Sequence, residues 1–89
     1  MTVRQAGTRC KTTESNTIPE NDRRKHLIIQ NATGAAAHFN FDTSTAPNAD
    51  GSDCALELID LEIIHIPNFT GSVITHGDQN VKVRFMEFE

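Results

Sequence analysis

The chain has 89 residues, 37% of them hydrophobic, with five Phe, no Trp or Tyr and a net charge of −4. That length allows one domain, and its thin apolar inventory makes docking against a partner or further copies an expected source of extra burial. No run of about 18 apolar residues occurs, which excludes a helical membrane span, and the N-terminal sequence lacks the apolar segment of a secretory signal, so synthesis in a cytosol is expected.

Residues 1–22 are rich in Thr, Asn, Glu and Gln, and Pro19 forbids a continuous helix or central strand across them. They read as an extended arm, with a short strand over residues 2–5 and a docking point at Ile18. The arm leads into "DRRKHLIIQNATG", where three consecutive cations precede an apolar stretch. Residues 1–25 carry six cations against three acids, a net of +3, and residues 26–89 carry two against nine, a net of −7. A basic arm therefore precedes an acidic body, taken as residues 23–89.

In "HLIIQN", Leu27 and Ile29 share one face of a strand, and Asn31 to Gly34 supply turn chemistry. "AHFNFD" alternates well, with Ala37, Phe39 and Phe41 on one side, so the two strands are expected to pair as a hairpin. A polar loop containing Pro47 and Asp50-Gly51 follows. "CALELIDLEIIHI" fits either a helical period or strand alternation. The β-branched Ile63-Ile64 and the lack of a nearer helix start than Ser52 or Asp53 tilt the reading to strand with a bulge, ended by Pro67. "SVITHG" and "NVKVRFMEF" read as further strands, the second with Val81, Val83 and Phe85 inward and Lys82, Arg84 and Met86 outward. Short strands separated by turn signals, without repeats, point to a small antiparallel β-sandwich or jelly-roll-like domain.

Chemistry-bearing constellations are sparse. The four histidines, His26, His38, His65 and His76, lack compact ligand spacing to one another or to a Cys. Asn48, Asp50, Gly51, Ser52 and Glu57 resemble part of an EF-hand loop, but Ala46 stands where its first aspartate belongs and no helix pair flanks it. Ser72 and His76 lie about 13 Å apart along a strand, beyond bonding reach for a nucleophile and its base. Glycines are scattered singly, so no phosphate loop forms. No catalytic, cofactor-binding or metal site is expected. Cys10 and Cys54 read as free thiols in a cytosolic chain. The two Asn-X-Thr sequons at Asn31 and Asn68 read as ordinary turns.

Taken together, "NDRRKHLIIQNATGAAAHFNFD" and, more loosely, "GSVITHGDQNVKVRFMEFE" resemble small all-β structural proteins of tailed bacteriophages: a charged step, an L-I-Q-N-type strand, a turn, a Phe-rich second strand and a closing apolar strand. "HFNFD" departs from the commoner form of the second strand, which leaves the subtype open. The resemblance implies a non-enzymatic virion component made in the host cytoplasm, foremost a trimeric capsid decoration (cement) protein bound to the major capsid protein or other virion subunits, otherwise a tail, neck or head-fibre part. In that role Arg4, Arg9, Lys11, Ile18, Arg23, Arg24 and Lys25 would meet the partner along the arm and its junction with the body. Two other classes are weighed against it. A nucleic-acid-binding β-barrel would use the basic arm, but the acidic body and the lack of Tyr or Trp to stack bases make nucleic acid the weaker expectation. A cupin-like metal enzyme would need the histidines to converge.

Overall fold

A computed structural model describes residues 11–13, 15–77 and 81–89. Among them there is no helix; eight strands form two four-stranded antiparallel sheets. They are β1 (Lys11–Thr12), β2 (Thr17–Ile18), β3 (His26–Gln30), β4 (Ala37–Phe41), β5 (Leu56–Leu58), β6 (Ile63–Pro67), β7 (Val73–Thr75) and β8 (Arg84–Phe88). One sheet runs β1-β8-β3-β6 and the other β2-β7-β4-β5.

Alternation explains the core. In β3, Leu27 and Ile29 are fully buried while His26, Ile28 and Gln30 are half-buried, and β4 adds Ala37 and Phe39, also fully buried. Ile18, Leu58, Val73, Val83 and Phe85 complete one cluster drawn from both sheets, with Phe41, Ile64, Ile66 and Phe69 packed against it. Of the expected inward residues, Leu27, Ile29, Phe39, Val83 and Phe85 are buried, and Phe41 and Val81 are half-buried. Val83 fills the core from just outside β8, where its N–H bonds the Thr13 hydroxyl.

The expected hairpin of β3 with β4 is not formed. β3 is flanked by β6 and β8, so both its edges are occupied, and β4 lies in the other sheet between β5 and β7. The intervening residues instead carry the chain across the core. Asn31, fully buried, makes that crossing possible: its amide donates to the Ala35 and Leu58 carbonyls, and its Oδ1 accepts from the Thr33 N–H and hydroxyl. The segment read as one bulged strand over residues 54–66 is two strands in different sheets. They are joined by a turn in which Leu61 holds φ at +67°.

The boundary at residue 22 also needs correcting. β1 lies beside β8 and β2 beside β7, so Lys11–Thr12 and Thr17–Ile18 belong to the two sheets rather than to a separate arm. Ile18 is 1% exposed and sits in the hydrophobic core, because β2 pairing with Val73 turns it inward; it is no docking point. The strand expected over residues 2–5 lies outside the described residues.

Candidate functional site

The three cations of the expected arm–body junction do not act together. Arg23 and Lys25 are exposed, whereas Arg24 between them is buried, its side chain fully withdrawn from solvent. Its Nε donates to the Phe69 carbonyl at 2.9 Å, Nη2 to the Gly71 carbonyl at 2.6 Å, and Nη1 to the Pro19 carbonyl at 3.3 Å and to Glu87 Oε1 at 2.8 Å. The guanidinium also lies over the Phe69 ring, 5.9 Å from its centroid. Burying a charge is costly unless it is paired and its donors are used, and here both conditions are met. Arg24 therefore ties the entry to β3, the β6–β7 connection and β8 into one unit, and it is not available to a partner. Of the other expected contact residues, Lys11 contributes backbone to β1, and Arg4 and Arg9 lie outside the described residues.

The signal for this clip was present in the alternation of the last strand. Val83 and Phe85 point inward, so the next inward position is 87, and an acid there demands a buried cation. Glu87 stands in register beside Leu27 on the inner face, as that reading requires.

A second polar cluster lies on the outer face of the β4 sheet, beneath the 42–55 loop. His38 is 5% exposed; its Nε2 lies 2.6 Å from Glu57 Oε2 across the β4–β5 pair. A carboxylate only accepts, so Nε2 carries the hydrogen of this contact, and the buried Nδ1 has no hydrogen-bond partner. His76 packs edge-on against this ring at 5.2 Å, and its Nδ1 accepts the His38 backbone N–H at 3.1 Å where a strand carbonyl would otherwise serve. Burial, and then the neighbouring His38 charge, hold the His76 imidazole below its ordinary pKa. Gly51, at φ +76°, lies flat on the His38 ring so closely that a Cβ there would come within 2.6 Å of it. The ring is thus enclosed by β4, β5, β7 and the loop, and the pair works as a latch under the loop.

The fragment resembling a calcium loop is committed elsewhere. Glu57 turns to His38, Asp50 accepts from the Ser52 N–H, and Asp53 accepts from the Asn48 N–H. The Ser52 bonds keep the Asp50 carboxyl below its usual range. Among the described residues no three His, Cys, Asp or Glu side chains converge on a metal-sized position. Cys54 is a half-buried free thiol, and Cys10 lies outside the described residues.

The surface feature that sequence reading missed is apolar. Ile59, Leu61 and Ile63 are 63%, 64% and 54% exposed. They sit at the β5–β6 turn, which is held firmly: the Leu61 N–H donates to the Asn31 carbonyl at 2.7 Å, the Asn31 N–H to the Glu62 carbonyl at 3.0 Å, and the Gly34 N–H to Asp60 Oδ1 at 3.0 Å. Period-two alternation located these residues on one face but carries no information on whether that face meets the core or the solvent. Searches against family models, curated proteins and solved structures find no match to this chain.

Proposed function

We propose that the chain is a non-enzymatic structural component of a tailed-bacteriophage virion, foremost a decoration protein that covers the outer head surface and stabilises subunit junctions. The observation that carries this reading is the strand order. Eight strands arranged as β1-β8-β3-β6 and β2-β7-β4-β5 have the order that two interlocked Greek keys of a jelly roll would give, and this supports an architecture used by viral capsid proteins among others. Fold does not fix function, so the site must add to the argument. It does so in two ways: the polar groups that could serve chemistry, His38, Glu57 and Arg24, are engaged in holding the fold, and the exposed surface offers a rigid apolar tip suited to contact.

Partner contact on this reading runs through residues 1–10, with Arg4 and Arg9, and through exposed Arg23 and Lys25. Opposite charge on the capsid would guide the encounter, and buried area would hold it. The nucleic-acid reading loses Arg24 from its basic patch, because that guanidinium is spent internally. The test is cosedimentation of purified protein with heads of the encoding phage that lack it, at moderate salt. Saturable binding that raises the temperature of head disruption supports the role; protein that stays in the supernatant, or that instead shifts DNA in a gel, refutes it.

A further inference from the structure

Leu61 presents a physical contradiction within the monomer. A bulky residue in the left-handed region is strained, and a large apolar side chain left 64% exposed gains little from folding, yet the turn fixes both features with backbone bonds on either side of Leu61. Next to it lies a complementary hollow. On the outer face of the β1-β8-β3-β6 sheet, cross-strand register places Gln30, Arg84 and Ile63 in one row, and Ile28, Met86 and His65 in the next. Between them is a hollow of about 100 Å³ lined by Ile28, Gln30, Ile63, Arg84, Phe85 and Met86. The hollow is small and its lining is mainly apolar, which suits contact with a single aliphatic side chain.

The charges match as well. The tip reads Ile59-Asp60-Leu61-Glu62-Ile63, with exposed acids between the apolar residues, while the hollow carries exposed Arg84 at its rim. A partner for the hollow should thus offer a protruding aliphatic group flanked by carboxylates, and this chain's own tip has that description. Tip and hollow adjoin on one face and share Ile63. A two-fold axis beside them would seat each copy's Leu61 in the other's hollow and set Asp60 and Glu62 against Arg84 twice over, which is the self-complementarity an isologous interface requires.

We infer that a second copy of this chain occupies this face, forming a two-fold dimer with Leu61 as its apolar anchor and Arg84 as its ionic one. The three-fold assembly implied by the phage resemblance is not what this surface favours, since a ring needs tip and hollow on different sides of the molecule. The inference is independent of the virion reading and is tested without any virion.

Sedimentation of the full chain from low micromolar to near-millimolar concentration measures it. The wild type should reach twice the monomer mass. Leu61→Asn, which suits the left-handed backbone, and Arg84→Glu, at an exposed position, should each raise the dissociation constant at least about tenfold, with unchanged far-ultraviolet circular dichroism. A chain that stays monomeric, a larger stoichiometry, or a dimer that survives either substitution at wild-type affinity overturns the inference.

Discussion

Arg24 and Glu87, 63 positions apart in the chain, meet in an ion pair of 2.8 Å with the arginine side chain wholly buried and the glutamate 11% exposed. The pair sits at the end of the core where Glu87 faces Leu27 in register, and the arginine's remaining donors serve three backbone carbonyls. Removing one member of such a pair costs far more than the pair contributes, because the survivor is left charged and buried.

Arg24→Ala should therefore lower unfolding stability by about 3–5 kcal/mol. Arg24→Lys should recover less than half of that, since an ammonium cannot span the same fork of acceptors. Urea denaturation with an unchanged slope measures both. A loss below about 1 kcal/mol for the alanine variant would mean that Arg24 is not the clip described.

Asn31 joins the two sheets through one side chain. Asn31→Ala strands the Leu58 carbonyl and the Thr33 N–H, while the exposed Ala35 carbonyl keeps the Thr33 hydroxyl, at about 1–3 kcal/mol for each group that water cannot reach. Hydrogen exchange should show the loss concentrated in residues 31–36 and 58–62, the turn that presents Leu61.

How much of this was legible in the sequence follows from what each signal measures. Alternation found β3, β4, β7 and the C-terminal strand, because side chains of a strand with one buried face declare that face. It said nothing about which strands pair, so β3 and β4 were expected to form a hairpin, although β6 and β8, from distant parts of the chain, hold both edges of β3. The RRK run read as surface charge because local sequence cannot reveal a partner 63 residues away. At the candidate surface, Ile59, Leu61 and Ile63 fitted a buried strand equally well, and only the left-handed turn at Leu61 shows that they point to solvent.

His76 gives the fold an acid-side pH dependence. The His76 pKa is lowered on folding, so between its folded and unfolded values the unfolded chain binds more protons; its contribution is whole above about pH 6.5 and is lost as pH falls below that. Asp50, also lowered, adds a further loss at lower pH, as the medium falls through the carboxylate range. Among the described residues, the titratable and charged groups near His76 are the His38 ring, through it Glu57 and Asp50, and Lys82, which lines a hollow together with His76. His76→Asn keeps an acceptor near the Nδ1 position but cannot titrate. Melting temperatures between pH 7.5 and 5.5 should fall less steeply in this variant than in the wild type; equal slopes would remove His76 from the account.

Gly51→Ala tests the latch itself. It places a β-carbon against the His38 ring at a left-handed backbone position, where strain alone costs about 1–3 kcal/mol. Faster amide exchange across residues 46–53, with the strands unaffected, is the expected result, since the loop can lift without opening the sheets.

The central claim, the proposed structural role on a virion surface, is tested most directly by imaging heads of a phage that carries the gene for this chain, and of the same phage without it, by cryo-electron microscopy. The account predicts ordered extra density over subunit junctions in the first sample, into which the two four-stranded sheets fit, and bare junctions in the second. Identical heads in the two samples, with the protein absent from the purified particle, would contradict it.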